Sequence, residues 1–260
     1  MFNMTGLHVL VTGATGYLGR EMVFGLGKQG AHVLINSRSS DRCNELLSTC
    51  LEMGISAEAT PFDISDEQQR TDFLQNMADR KLHVLINNAY AGGGGNLRSS
   101  SSDDYRNSYE INIVAAQSLL QGLIPMLQRA VDEDAHASII NISSMYGVVS
   151  PDPRIYETPQ GTNPPFYGAV KAALLQWTRY AACELGPLGI RVNAISPGAF
   201  PSLSVQKSNP DFIEKLAAKA PLNRVGQAHE IIGPVCFLAS RASSFVNGAN
   251  LSVDGGWTSW

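Results

Sequence analysis

The apolar residues of this 260-residue chain fall into two rhythms that alternate from one end to the other. Short apolar runs, most of them rich in Val, Ile and Leu, occur at 7–12, 31–36, 56–62, 82–87, 137–142, 190–195 and 250–253. Between them, at 17–29, 42–53, 67–78, 104–130, 166–185 and 228–240, apolar side chains return every three to four residues. The first rhythm fits buried strands, the second helices packed along one face. Strands joined by helical crossovers run parallel, so the pattern predicts an α/β fold: a doubly wound, seven-stranded parallel sheet with helices on both faces. Ligands of such sheets bind outside the carboxyl ends of the strands, which directs attention to the loop after each apolar run.

No stretch between these elements reads as an interdomain linker, so residues 1–260 are expected to form a single domain. Two loops stand out, 91–96 with four consecutive glycines and 150–165 with five prolines. Lys and Arg total 19 against 23 Asp and Glu, a net charge of −4, which offers no basic surface for nucleic acid. The opening residues lack a basic segment, and the apolar run that follows ends at Gly13, too short to span a bilayer. A cytoplasmic protein with no membrane partner is expected. The four cysteines form no C-x-x-C and the five histidines no H-x-x-x-H, so neither a metal site nor a disulfide framework is signalled.

The first strand-to-helix turn reads Thr12-Gly13-Ala14-Thr15-Gly16-Tyr17-Leu18-Gly19. Backbone N–H groups at a helix start can face a pyrophosphate, and glycine lets the backbone come close to it. The alternative is an ordinary tight turn. After the second strand stand Asn36, Ser37 and Arg38, where a carboxylate would accept from a ribose diol. The carboxylate is missing and a cation is present, so Arg38 is either a ligand for a 2′-phosphate or a solvated loop arginine.

Tyr167 and Lys171 stand at i and i+4 of a predicted helix, and no other tyrosine has a lysine four residues later. A free phenol has a pKa near 10, so roughly 0.1% is ionised at pH 7. A useful phenolate fraction requires a shift of about 3 units, on the order of 4 kcal/mol, to which an adjacent ammonium contributes. Ser143 and Ser144 end the fifth strand, and alternation lets only one of them face a cleft.

Taken in order, these residues resemble the single-domain branch of the short-chain dehydrogenase/reductase family, over nearly the whole chain. The further matches are Asp63-Ile64-Ser65, Asn87-Asn88-Ala89, Asn112, Asn141-Ile142-Ser143-Ser144, Asn193 to Gly198, and Val253-Asp254-Gly255-Gly256. The resemblance implies a Rossmann-type, NAD(P)(H)-dependent oxidoreductase interconverting carbonyl and alcohol by hydride transfer. Tyr167 would be the general acid or base, Ser144 would hydrogen-bond the substrate oxygen, and Lys171 would bind the nicotinamide ribose and lower the tyrosine pKa. Asn112 would hold a water linking Lys171 to solvent. Gly13, Thr15, Tyr17 and Leu18 would carry the pyrophosphate, Ser37 and Arg38 the adenosine ribose, and Asp63 and Ile64 the adenine. Asn88 and Ala89 would line the cofactor's middle, and Pro197, Gly198 and Phe200 the nicotinamide end. NADP(H) is the expected cofactor, with NAD(H) as the alternative, and a homotetramer or homodimer is expected with Trp257 and Trp260 near a subunit contact.

Three positions depart from that pattern. The glycines fall at Gly-x-x-Gly-x-x-Gly, typical of the extended branch, and Tyr17 stands where the single-domain branch has glycine. Tyr90 replaces the glycine of the family's Asn-Asn-Ala-Gly. Twenty-three positions separate Ser144 from Tyr167, ten more than the resemblance leads one to expect, and the surplus lies in the proline-rich loop. That loop is expected to rim the substrate mouth, with Arg154, Tyr156 and Glu157 offered to a polar small-molecule substrate, a polyol or sugar derivative. A sugar-nucleotide epimerase or dehydratase that retains NAD(P), and a nucleotide-sensing module, are the alternatives.

Overall fold

The computed structural model describes residues 2–260. All seven strands join one parallel sheet in the order β3-β2-β1-β4-β5-β6-β7. They are β1 (His8–Val11), β2 (His32–Ile35), β3 (Ala57–Ala59), β4 (Val84–Asn87), β5 (Ala137–Ile142), β6 (Ile190–Pro197) and β7 (Asn250–Val253). Strand order reverses at β1 and β4, which opens a crevice between their carboxyl ends.

Alternation along each strand divides the core into two layers. Val9, Val11, Val33, Ile35, Val84 and Ile86 point to one face, packed by helices α1 (Tyr17–Lys28) and α2 (Ser40–Glu52). Leu10, Leu34 and Leu85 point to the other, against α3 (Glu67–Met77) and a long helix over residues 102–134. The long helix comprises α4 (Ser102–Tyr109), a π-helical turn (Glu110–Ala115) and α5 (Ala116–Asp134). Its length and apolarity would suffice to cross a bilayer, but Leu119, Leu123 and Leu127 are fully buried against the sheet. Each such side chain contributes about 2 kcal/mol of transfer free energy.

The next helix, α6 (Pro165–Leu185), begins with proline at its first position, where a missing N–H costs nothing. A buried polar ladder ties it to the sheet: Asn87 Nδ2 donates to Asn141 Oδ1 at 2.8 Å, and Asn141 Nδ2 donates to Thr178 Oγ1 at 2.8 Å.

Several predicted boundaries move for identifiable reasons. The third strand covers three residues instead of 56–62, because it is an edge strand and Pro61 cannot donate to a ladder. The long helix starts at Ser102, two residues early, where Ser101 and Asp104 form a reciprocal cap. Two helices were not expected, α7 (Leu203–Ser208) and α8 (Pro210–Lys219). α7 buries no side chain and is only six residues long, whereas α8 carries a short apolar stripe, Phe212, Ile213 and Leu216, packed against Met145, Tyr146 and Trp257. The segment 228–240 splits into a 3-10 turn (Ala228–Ile231) and α9 (Ile232–Ala239). Pro234 has no N–H to return to Glu230, which removes the α-helical bond at that junction.

The C-terminal tryptophans part ways. Trp257, expected near a subunit contact, is 7% exposed and packs within its own chain edge-on to Tyr146, with ring centroids 6.4 Å apart. Trp260 is exposed.

Candidate active site

The crevice is built from strand ends locked to one another. At the end of β1, Thr12 Oγ1 accepts from the backbone N–H of Asn88 and Ala89 at 3.0 and 3.1 Å. Asn88 Nδ2 donates to the carbonyls of Thr12 and Gly13, both at 3.0 Å. The loop leaving β4 is thereby pinned against the first turn. Gly13 has φ +63°, and a Cβ there would come within 2.9 Å of Ala89 Cα; a Cβ on Gly19 would come within 2.4 Å of the Gly13 carbonyl oxygen. These two glycines are required by packing alone. No side chain caps the start of α1, so the amino end of that helix remains available to an anion at the cleft. Tyr17 heads α1 and donates from its hydroxyl to the Pro201 carbonyl at 3.2 Å, joining the turn to the loop after β6.

After β2, Asn36 is buried and donates to the carbonyls of Thr60 and Phe62 at 3.0 and 3.1 Å, fixing the path of Ser37 and Arg38. The Arg38 guanidinium is 71% exposed and lies 4.0 Å from the Asp63 carboxylate. Asp63 is committed to its own loop, accepting from Ser65 N and Ser65 Oγ at 2.9 and 2.6 Å. Arg38 is therefore a loosely held cation at the cleft edge, with Arg42 beside it.

At the end of β5 the two serines separate as alternation requires. Ser143 Oγ donates to the Lys171 carbonyl at 2.9 Å, whereas Ser144 lines the cleft with Tyr167 and its Oγ accepts from Tyr146 N at 3.1 Å. Burial holds the Tyr167 phenol above the ordinary tyrosine range, and the nearby Ser144 side chain opposes that rise. Lys171, one helical turn along α6, is 3% exposed. Its ammonium donates to Asn112 Oδ1 and to the Ile142 carbonyl, both at 2.9 Å. Burial alone lowers its pKa to about 7.

Asn112 Oδ1 accepts directly from Lys171, and burial is the largest influence on Tyr167. Asn112 sits in the π-helical turn, with its Nδ2 donating to the Ser108 carbonyl at 2.9 Å. The widened turn carries its side chain toward α6; π-bulges recur at functional sites for this reason.

All fifteen residues expected to touch a cofactor line one cleft of about 910 Å³, together with Ser144, while Asn112 stands behind Lys171. Sequence reasoning missed Ser39, Ile111 and Ile142 in its wall. Ser39 caps α2, and the two isoleucines carry no signal beyond that of core residues. A larger hollow of about 1170 Å³ beside it holds none of Ser144, Tyr167 and Lys171. Ser144, Tyr167 and Lys171 therefore lie in the smaller space, and Asn112, the fourth residue expected at the catalytic centre, lines neither. Among the described residues no group of three potential metal ligands converges.

The proline-rich segment and the glycine loop join along the wall of the larger hollow. Gly95 N donates to the Thr162 carbonyl at 3.2 Å and Asn96 Nδ2 to the Pro159 carbonyl at 3.1 Å. The segment also docks on α8, through an ion pair of Asp152 with Lys219 and a hydrogen bond from Asn209 to Glu157. The side chains expected to meet substrate are thus engaged within the chain: Arg154 pairs with Asp152, Tyr156 with the Tyr146 hydroxyl at 3.0 Å, and Glu157 with Asn209.

Comparison with known proteins agrees with this geometry. The family model described as Enoyl-(Acyl carrier protein) reductase matches residues 13–258. A rhamnolipid-biosynthesis 3-oxoacyl-(acyl-carrier-protein) reductase of Pseudomonas aeruginosa is 30% identical, over 98% of each chain. The gluconate 5-dehydrogenase of Gluconobacter oxydans is 29% identical, over 99% of this chain and 97% of its own. Among solved structures, RhlG of Pseudomonas aeruginosa in an NADP active-site complex superposes with a TM-score of 0.87 at 30% identity, over 98% of each chain. A gluconate 5-dehydrogenase of Burkholderia cenocepacia with NADP and tartrate gives 0.86 at 28% identity, over 100% of this chain and 98% of the other. The chain is an oxidoreductase of the short-chain dehydrogenase/reductase family.

Proposed function

We propose that this enzyme interconverts a ketone and a secondary alcohol on a polyhydroxylated small molecule, a sugar acid or polyol, with NADP(H) as redox partner. The observation that carries the reaction type is the convergence of Ser144, Tyr167 and buried Lys171 at one end of a cleft whose other end carries Arg38. The gluconate 5-dehydrogenases among its relatives support the substrate class. The cleft fits a dinucleotide phosphate: the start of α1 is uncapped, and Arg38 is exposed at the ribose end. When bound, the nicotinamide supplies or accepts the hydride.

Reduction of a carbonyl also needs a proton at oxygen. Tyr167, held neutral by burial, carries that proton, and the Ser144 hydroxyl aligns the same oxygen. In the oxidative direction Tyr167 must lose its proton, and the neighbouring ammonium of Lys171 favours the phenolate. Asn112 and the Ile142 carbonyl keep that ammonium at its post. At Arg38 a 2′-phosphate would find a guanidinium capable of charge-assisted bonds, with no carboxylate at Ser37 to repel it.

The functional unit in this reading is a homodimer or homotetramer. Tyr105, Tyr109 and Val114 on the long helix and Tyr180 on α6, which packs against it, are exposed apolar side chains. A second copy of the chain would cover such a face.

Three outcomes follow. Tyr167→Phe should lower kcat by 10²–10⁴-fold with NADPH affinity little changed, measured by steady-state kinetics and fluorescence titration. Retention of a tenth of wild-type kcat would remove Tyr167 from its role. Arg38→Ala should weaken NADPH by about 2 kcal/mol, about 30-fold in Kd, and leave NADH within about twofold. Equal losses for the two cofactors would show Arg38 to be a solvated loop residue. Sedimentation at micromolar concentration should give a multiple of 28.0 kDa, and a 28.0 kDa species alone would exclude the oligomer.

A further inference from the structure

Tyr90 follows Asn87-Asn88-Ala89, and the pinning of Asn88 and Ala89 to the first turn delivers its side chain into the catalytic end of the cleft. Its ring meets that of Tyr167 in an edge-to-face contact, with centroids 5.0 Å apart and planes at 86°. The ammonium of Lys171 lies over the Tyr90 ring, 5.4 Å from its centroid, and 5.7 Å from that of Tyr167. The hydroxyl end of Tyr90 fills the space above Gly92, where a Cβ would come within 2.1 Å of it. The glycine of the neighbouring loop thus makes room for this tyrosine.

The partners of Lys171 explain why the ring matters. From β5 it receives the Ile142 carbonyl, from the π-helical turn the Asn112 amide oxygen, and from the loop after β4 and from α6 the faces of Tyr90 and Tyr167. Among the described residues no carboxylate pairs with it. A cation removed from water and given only neutral partners depends on whatever electron-rich surface those partners present, and a phenol face presents its negative quadrupole. Such a face stabilises the ammonium without neutralising its field, which a carboxylate would do. Tyr90 itself stays a neutral phenol, because burial and the neighbouring Tyr167 push it well above the ordinary range.

We propose that Tyr90 is a positioning residue for the oxidoreductase reaction: its ring face stabilises the charged form of Lys171, and its contact with Tyr167 fixes the plane of the reacting phenol. The inference rests on the roles given above to Tyr167 and Lys171. Water exclusion alone would be a different function, and the two differ in sign. Leucine at this position keeps an apolar wall and removes the quadrupole, whereas glycine admits water.

The test is the titration of Lys171 followed at its Cε by carbon NMR in protein labelled with ¹³C-lysine, with no substrate present. Tyr90→Leu should lower the Lys171 pKa by about one unit. Tyr90→Phe, which keeps the ring, should hold it at the wild-type value, and Tyr90→Gly should raise it as water enters. In turnover, the alkaline limb of kcat/KM should move to lower pH in Tyr90→Leu by the same amount as the NMR titration. An unmoved or raised Lys171 titration in a folded Tyr90→Leu protein, or a fall in Tyr90→Phe equal to that in Tyr90→Leu, would overturn the proposal. The expected titrations in an enzyme that reduces no ketone would count against the reaction above and leave the Tyr90 contact standing. Normal turnover with an unmoved titration would do the reverse.

Discussion

A lysine ammonium held at 3% exposure with no carboxylate beside it is the costly element of this molecule, and the surrounding structure is arranged to hold it. Removing a charge from water disfavours it unless other groups compensate, and here burial brings Lys171 down to about 7. The compensation comes from four directions at once: a strand end, a π-helical turn, and two aromatic rings. Had one of these been a carboxylate, the ion pair would hold the lysine more strongly but would cancel the field that favours phenolate at Tyr167.

That arrangement needs elements far apart in sequence to meet within fractions of an ångström, which a doubly wound sheet achieves. The ladder from Asn87 through Asn141 to Thr178 joins β4, β5 and α6 below the site, so the helix bearing Tyr167 and Lys171 is registered against the strand bearing Ser144. Each member is buried and would leave an unpaired polar group if the helix slid along the sheet, a penalty of about 1–3 kcal/mol per group. The glycine and proline-rich loops, joined to each other, wall the larger hollow beside the site and rest on the start of α8.

Much of this was legible in the residues themselves. Parallel strands reveal themselves through continuous apolar runs, and the turn at Gly13 to Gly19, the Tyr167/Lys171 spacing and the serines after β5 are local signals whose meaning survives into the fold. What was not legible depends on contacts between distant segments. Asn112 could be named, but not the π-helical turn that aims it, because the extra residue in that turn leaves the apolar period nearly unchanged. Helix α7 buries nothing and left no stripe to read, and the stripe of α8, Phe212, Ile213 and Leu216, is too short to stand out from a loop. Composition likewise could not show that Arg154, Tyr156 and Glu157 are hydrogen-bonded to Asp152, Tyr146 and Asn209. Trp257 looked like an interface residue for the same reason.

The most direct test of hydride transfer at this site is a single turnover with NADPH deuterated at the transferring position of the nicotinamide, offered with keto sugar acids, simple ketones and 3-oxoacyl thioesters in turn. An oxidoreductase of the kind proposed places one deuterium on the carbinol carbon of a keto sugar acid and releases one equivalent of NADP⁺. Product formed without net oxidation of the cofactor would contradict it and point to a retained nicotinamide acting in an epimerase or dehydratase.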